Sequence, residues 1–271
     1  MDIPIRHLSA SSIADYLDCP LKWFGRRIGK WPEQKPPFFQ AAAAMGRAVH
    51  HALSAHHHGR DADTALVRCW EAETSDCAAG LISLTEALPL VRAYTSVIVP
   101  KNGDKPDHKF SYKVPGIPVP IIGYIDVLSG VTVREFKTTR SHKNWTQAEI
   151  DTSIQGSIYW AAVLNSGIAK RPKLVYSILR VGGDPIMTEV QTERSDSDVR
   201  RTEMLIRGVY ERMRDGDLEA RCKSGYCGFP ERCRDYGYTE PQRSSEPAQT
   251  LRASSGDRVP AGAGGPVGLG G

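Results

Sequence analysis

Three charged residues interrupt two apolar runs near the middle of the chain. The segment IIGYIDVLSGVTVREFKT, residues 121–138, places Asp126 in the first run and Glu135 and Lys137 in the second. Alternate side chains of a strand point to the same face, so Glu135 and Lys137 share one face. Buried charges are costly unless they are paired, bind a cation or take part in chemistry. The segment therefore predicts a metal-binding or catalytic site.

The two runs are predicted to form a β-hairpin around Ser129 and Gly130, which carry a two-residue turn signal. In that register, Asp126 lies opposite Val133, and Glu135 is its diagonal neighbour on the same face. Diagonal partners are about 7–8 Å apart, which lets two carboxylates reach one cation. We therefore expect Asp126 and Glu135 to share a ligand.

Helices are expected before the hairpin. Ser11 or Ser12 is placed to cap a helix that runs to about Arg27, and Pro20 should kink or split that helix. Lys22, Arg26 and Arg27 form a basic cluster beside Trp23. The cluster is either a solvated helix end or a patch that contacts the phosphates of a nucleic acid.

A long helix is predicted over FFQAAAAMGRAVHHALSAHHH, residues 38–58. Gly46 in its interior indicates close packing against another element. His50 lies one turn later, where a lone histidine is most often structural. The histidines at positions 56–58 are expected to lie in solvent at the helix end.

After the hairpin, a polar loop leads to a helix that Asp151 opens and Gly167 ends. Gln155 and Tyr159 lie four residues apart and share a face of that helix. Strands are predicted on both sides of the helix, so the fold class is α/β.

Composition limits the possible classes of protein. The chain has 271 residues, of which 40% are apolar and 24% charged, as in a soluble globular protein. No apolar run approaches the roughly 20 residues needed to span a bilayer, and the N-terminus lacks the apolar core of a secretory signal. We expect a cytoplasmic protein without a membrane partner. The net charge of +4 permits nucleic-acid binding through a local patch without requiring it.

Three cysteines, Cys222, Cys227 and Cys233, fall within twelve residues near the end of the chain. Packing alone rarely explains such a cluster, so a metal or cluster site is favoured over free thiols. Residues 239–271 are rich in Ser, Gly, Ala and Pro and are predicted to be disordered. Residues 1–238 then form the folded domain.

The motifs occur in an order that resembles a known family. DYLDCPLKWF precedes MGRAVH, followed by a strand with GYID, a strand with Glu-Phe-Lys, a Gln-x3-Tyr helix and the cysteine cluster. This order resembles the PD-(D/E)xK nucleases of the RecB type, including the CRISPR-associated and AddB-like iron–sulfur exonucleases. The resemblance implies a restriction-endonuclease-like core with a central mixed β-sheet flanked by helices, an N-terminal helical region and a C-terminal cysteine-rich segment.

The resemblance also implies a role for each matching residue. The metal ligands would be His50, Asp126, Glu135 and the backbone carbonyl of Phe136. Lys137 would orient the attacking water, and Gln155 and Tyr159 would position DNA or support the site. The residues implied as ligands of a [4Fe–4S] cluster are Cys19, Cys222, Cys227 and Cys233, although the spacing from Cys222 to Cys227 is x4 where the family has x2.

The function expected from these features is that of a metal-dependent DNA exonuclease. Carboxylate ligands suit Mg²⁺ or Mn²⁺, and a histidine ligand shifts the preference toward Mn²⁺. Zinc is the alternative to the iron–sulfur cluster, and a non-catalytic nucleic-acid-binding module is the alternative function. The chain has no GxxxxGK[ST] loop, so a helicase would be a separate partner, as would a recombinase or a CRISPR-adaptation protein.

Overall fold

The computed structural model describes residues 3–77, 80–141, 143, 145–220 and 227–235. Cys222 and the segment 239–271 lie outside the described residues. The predicted domain boundary after residue 238 and the predicted disorder of the tail therefore stay predictions.

Along the described residues, five helices precede three strands, and two helices, two strands and two further helices follow. The helices are α1 Ala10–Asp18, α2 Pro20–Arg27, α3 Pro37–His57, α4 Ala62–Thr74, α5 Leu84–Thr95, α6 Gln147–Asp151, α7 Ile154–Asn165, α8 Asp196–Arg214 and α9 Pro230–Asp235. The strands are β1 Lys105–Tyr112, β2 Ile121–Ser129, β3 Thr132–Thr139, β4 Lys173–Arg180 and β5 Met187–Thr192. None of the described helices is both long and apolar enough to cross a membrane.

The strands form one sheet in the order β1-β2-β3-β4-β5. β1, β2 and β3 pair antiparallel, β3 and β4 pair parallel, and β5 returns antiparallel to β4. Parallel neighbours need a crossover connection, and α6 and α7 supply it between β3 and β4. The predicted central mixed sheet is confirmed.

Helices cover both faces of the sheet, and each face has its own apolar core. One core joins α1, α7 and α8 to the sheet, and it includes Ile13, Ile158 and Ile206, all fully buried. The other core joins α3, α4 and α5 to the opposite face through residues such as Val49 and Leu90. The prediction of a sheet flanked by helices is therefore confirmed.

The N-terminal helical region differs from the prediction at its start. Ser9, and neither Ser11 nor Ser12, caps α1 by accepting a hydrogen bond from the backbone N–H of Ser12. Pro20 does split the predicted helix in two, and it occupies the first position of α2, where a missing N–H is harmless.

The prediction that the histidines at the end of α3 lie in solvent is wrong for His57. Its side chain is 2% exposed. The His57 ring nitrogens lie 2.8 Å from an Asp104 carboxylate oxygen and 2.7 Å from the Tyr94 hydroxyl. Two polar partners thus stabilise His57 inside the molecule, and neither partner is near it in sequence.

Candidate active site

The sheet opens at the candidate site because β2 and β3 separate there. Their pairing runs from Ser129↔Thr132 to Val127↔Arg134 and then stops. The next backbone N–H on β3, that of Phe136, donates to the Asp126 Oδ2 atom at 2.6 Å. The Asp126 carboxylate therefore occupies the gap between the strands, which we call the fork.

The predicted hairpin turn is misplaced by one residue, which shifts the predicted cross-strand pairing by two residues. The turn consists of Gly130 and Val131, with Ser129 paired to Thr132. Gly130 has a φ of +57°, which the first central position of a type II′ turn requires and which glycine adopts without strain. Continued along the strands, the observed register sets Asp126 directly across from Glu135. The observed register thus differs from the predicted diagonal arrangement of the two carboxylates.

The N-terminal segment pairs with β2 beyond the fork. Leu8 bridges to Ile121 at the start of β2 in parallel orientation. The N–H of Leu8 donates to the Pro120 carbonyl, and the N–H of Ile122 donates to the Leu8 carbonyl, both at 2.9 Å. The start of β2 therefore has a backbone partner in the N-terminal segment.

Helix α7 supplies side chains that meet the two charged residues of β3. Lys137 Nζ donates to Glu135 Oε1 at 2.7 Å and to Gln155 Oε1 at 2.9 Å. The Gln155 amide in turn donates to Glu135 Oε1 and to the Tyr159 hydroxyl, both at 2.8 Å. Tyr159 donates to the Tyr124 backbone carbonyl on β2 at 2.8 Å. A continuous network thus connects β3, α7 and β2 around the fork.

Helix α3 brings His50 to the same place. Its Nδ1 atom lies 3.7 Å from Asp126 Oδ1, and its ring packs edge-on against Phe136. A cavity of about 440 Å³ opens between α3 and the strands, and its lining includes Gly46, His50, Asp107 and Asp126. The structure therefore brings together His50, Asp126, Glu135, Phe136, Lys137, Gln155 and Tyr159.

Gly46 does not have the packing role that the sequence suggested. A methyl group built on its Cα would meet nothing within 4 Å. Gly46 lines the cavity one turn before His50 and leaves that side of α3 without a side chain. The glycine provides open space beside the site, where its position in the helix predicts a neighbouring element.

Burial and neighbouring charges shift the protonation of the site residues. Burial raises the pKa of Glu135 to about 7, although Lys137 acts in the opposite direction. Burial lowers the pKa of Lys137, but the Glu135 and Asp126 carboxylates outweigh it and the net pKa is raised. Burial also lowers the pKa of His50, and the contact with Asp126 more than reverses this. Lys137 is therefore an ammonium group at neutral pH.

One oxygen of the site lacks a partner. Glu135 Oε2 is buried and accepts no hydrogen bond from the described residues, whereas Oε1 takes those of Lys137 and Gln155. A buried unpaired carboxylate oxygen is costly and is the donor that a hard divalent cation would satisfy. Within the described part of the chain, no three His, Cys, Asp or Glu side chains are already gathered around one point as metal ligands.

The backbone of Phe136 fits the predicted role as a ligand. In a strand, the N–H and C=O of one residue point to the same side, and the Phe136 N–H points into the fork toward Asp126. Its carbonyl therefore points toward the fork as well. The donor set of His50, Asp126, Glu135 and this carbonyl suits Mn²⁺ or Mg²⁺.

The three cations predicted to contact DNA each have an acidic partner. Lys22 Nζ lies 2.6 Å from Asp18, and Arg27 lies 3.1 Å from Asp15. Arg26 binds both Asp15 and Glu33. These carboxylates offset much of the positive charge of the cluster, so contact with DNA phosphates stays a prediction for Lys22, Arg26 and Arg27.

Three of the four cysteines predicted as cluster ligands lie in one apolar cluster. Cys19 and Cys233 are buried there, and Cys227 packs against them. The sulfur atoms of Cys227 and Cys233 are 3.8 Å apart, and Cys227 Sγ accepts the N–H of Phe229 at 3.4 Å. The segment that holds Cys227 and Cys233 thus meets the N-terminal helices at these thiols, and ligation of a metal group by the cysteines stays a prediction.

Two residues of the site region were missed by the sequence analysis. Asp107 lines the cavity with a φ of +49° and accepts a hydrogen bond from Ser54 of α3. Trp145, with a φ of +65°, places its ring over Lys137. Neither residue belongs to a periodic pattern, and Pro106 before Asp107 is typical of a turn. The positions of both side chains depend on local backbone conformations that the sequence pattern does not predict.

A model of a known protein family matches most of the chain. The family model of the PD-(D/E)XK nuclease superfamily matches residues 7–234. None of the curated proteins matches the chain at a significant level. The family match confirms the predicted restriction-endonuclease-like α/β fold.

Two solved structures resemble the chain. A candidate exonuclease from Eubacterium rectale has a TM-score of 0.56 and 13% sequence identity, and the match covers 88% of this chain and 91% of that one. The protein SSO0001 has a TM-score of 0.41 and 16% identity, with 83% and 84% of the two chains covered. At this identity, the first structure supports the fold.

Proposed function

Because the chain belongs to the PD-(D/E)XK nuclease superfamily, we propose that it is a metal-dependent DNA exonuclease that hydrolyses phosphodiester bonds at single strands or duplex ends. The observation that carries the proposal is Glu135, a buried carboxylate with one oxygen bound to Lys137 and the other without a hydrogen-bond partner among the described residues. The likeness to a candidate exonuclease supports this choice among nuclease activities.

The residues proposed to hold the divalent cation are His50, Asp126, Glu135 and the backbone carbonyl of Phe136. A cation bound there would polarise the scissile phosphate and lower the pKa of a bound water. Asp126 is held in the fork by the Phe136 N–H, and Glu135 is held by Gln155. The protein thus fixes both carboxylates before substrate binds.

Lys137 is proposed to orient the attacking water and to offset negative charge on the phosphate. Its ammonium group is fixed by Glu135 and Gln155, so it can act electrostatically with little reorganisation. Gln155 and Tyr159 are positioning residues in this scheme, because they hold Lys137 and Glu135 relative to β2.

The test is degradation of 5′- and 3′-labelled DNA, single-stranded and duplex, with Mg²⁺ or Mn²⁺. Glu135→Ala and Lys137→Ala should abolish cleavage. Glu193→Ala and Lys173→Ala change the same residue types at exposed positions away from the fork and should leave cleavage intact. Equal activity in the wild type and both site variants would show that the fork is not the catalytic centre. Binding without cleavage under any metal would favour a nucleic-acid-binding module.

We also propose that Cys19, Cys222, Cys227 and Cys233 bind a metal group that joins the two ends of the domain. The family resemblance implies a [4Fe–4S] cluster. The 3.8 Å separation of the Cys227 and Cys233 sulfurs favours zinc as a second candidate, because four thiolates about 2.3 Å from zinc lie about 3.8 Å apart. Metal analysis and visible absorption of anaerobically purified protein would separate the two. Brown protein with iron and sulfide supports the cluster, and colourless protein with zinc supports zinc.

A further inference from the structure

Trp145 has a left-handed backbone conformation. It lies in the loop between β3 and α6, and its φ of +65° is rare for any residue with a bulky side chain. Residues held in such conformations cluster at functional sites, where the surroundings impose them. The Trp145 side chain is half-buried and packs against the core that contains α7.

The unusual backbone conformation places the indole on the proposed catalytic lysine. Lys137 Nζ lies 4.7 Å from the centre of the Trp145 ring. The face of an aromatic ring attracts a cation within about 6 Å, and tryptophan is the strongest of the aromatic residues in this respect. Glu135 and Gln155 bind the same ammonium group through hydrogen bonds. Lys137 is therefore held by three groups, one of which is aromatic.

The loop is fixed immediately after Trp145. Thr146 caps α6 by accepting the N–H of Glu149, and the Glu149 carboxylate accepts the N–H of Thr146 at 2.7 Å. This reciprocal capping box anchors the chain on one side of Trp145, and the apolar core anchors its side chain. The indole is thus held in place independently of Lys137.

We propose that Trp145 is a positioning residue that fixes the Lys137 ammonium for catalysis. The inference rests on the proposed nuclease function. A lysine side chain has a flexible four-carbon stem, so two hydrogen bonds alone leave its ammonium group several alternative positions. The ring removes those alternatives and directs the ammonium toward the fork. Because Lys137 is proposed to act in the chemical step, loss of the Trp145 ring should lower kcat and leave KM unchanged.

The experiment is a series of substitutions that separates aromatic character from apolar bulk. Trp145→Tyr and Trp145→Phe keep an aromatic face, whereas Trp145→Leu keeps an apolar side chain without one. We expect Trp145→Leu to lower kcat about tenfold with KM nearly unchanged, and the aromatic variants to retain most of the rate. Trp70→Leu, at a half-buried tryptophan of α4 on the other core, is the matched control and should change stability without changing kcat.

A second measurement does not depend on activity. In protein labelled with ¹³C at lysine Cε, the ring should shift the Lys137 signal in the wild type and in Trp145→Phe, and the shift should disappear in Trp145→Leu. Leucine and phenylalanine variants with equal kcat would overturn the positioning role and leave only apolar packing. A wild type that cleaves no DNA under any metal but shows the ring shift would overturn the proposed function itself, together with any role of Trp145 in catalysis.

Discussion

The Tyr159 hydroxyl donates a hydrogen bond of 2.8 Å to the backbone carbonyl of Tyr124, and this contact ties α7 to β2 beside the fork. The carbonyl belongs to the stretch of β2 between the Leu8 bridge and Asp126, where β3 no longer pairs with it. A side chain therefore replaces part of the missing sheet hydrogen bonding, and the same side chain accepts the hydrogen bond of Gln155.

Tyr159→Phe removes that hydroxyl while keeping the ring. We expect a loss of about 1 kcal/mol in the free energy of unfolding, because the Tyr124 carbonyl loses its donor. We also expect about a tenfold lower kcat, because Gln155 loses one of its anchors. Urea unfolding and DNA cleavage assays measure the two effects. Unchanged kcat would exclude a positioning role for Tyr159.

Asp126→Asn separates the charge of Asp126 from its hydrogen bond. The amide oxygen can still accept the Phe136 N–H, so the fork should keep its shape, but the site loses a negative charge. We expect at least a tenfold weaker affinity for Mn²⁺ and loss of cleavage, measured by calorimetric titration and by nuclease assay. Asp63→Asn on α4 is the control and should bind Mn²⁺ like the wild type. Equal affinity in the Asp126 variant would remove Asp126 from the ligand set.

Substitutions at Gly46 test whether DNA enters the cavity that this residue lines. Gly46→Ala should raise the free energy of unfolding by up to about 1 kcal/mol, because glycine is unfavourable inside a helix and space is free around it. Gly46→Leu should fill the cavity and raise the KM for DNA. Gly208 of α8 also has open space around it and lies on another helix, so Gly208→Ala and Gly208→Leu are matched controls for stability. The same KM in both leucine variants would show that DNA does not enter this cavity.

The buried His57 predicts a pH dependence of stability. Burial lowers the pKa of His57 below its unfolded value of about 6.5, despite the attraction of Asp104. The unfolded chain then binds the proton more readily than the folded one. The contribution of neutral His57 to the free energy of unfolding is therefore complete above about pH 6.5 and is lost as the pH falls through the lower folded pKa. His57→Phe should remove that loss. Urea unfolding between about pH 8 and pH 5 measures the free energy of unfolding of both proteins. The same pH dependence in wild type and variant would refute the prediction.

The sequence was sufficient for the features that depend on local pattern. Strand alternation and motif order led to the mixed sheet and to the grouping of Asp126, Glu135 and Lys137. The turn was misplaced by one residue, and the pairing therefore by two, because Gly130 takes the positive φ that the first turn position needs. Alternation shows which residues share a face but does not locate the turn.

A further error concerns a partner that is distant in the chain. His57 binds Asp104, which is 47 residues away. That contact turns a histidine expected in solvent into a buried one. Trp145 was missed because its position depends on one backbone torsion in a loop.

The bridge between Leu8 and Ile121 has a consequence for the time at which the proposed site is completed. Residue 8 leaves the ribosome before residue 121, so the segment around Leu8 must wait for β2 before it can pair with it. Gln155 and Tyr159 are made later still, and Cys19 meets Cys233 only after all five strands have been made. The growing chain therefore cannot assemble the proposed site until synthesis has passed α7.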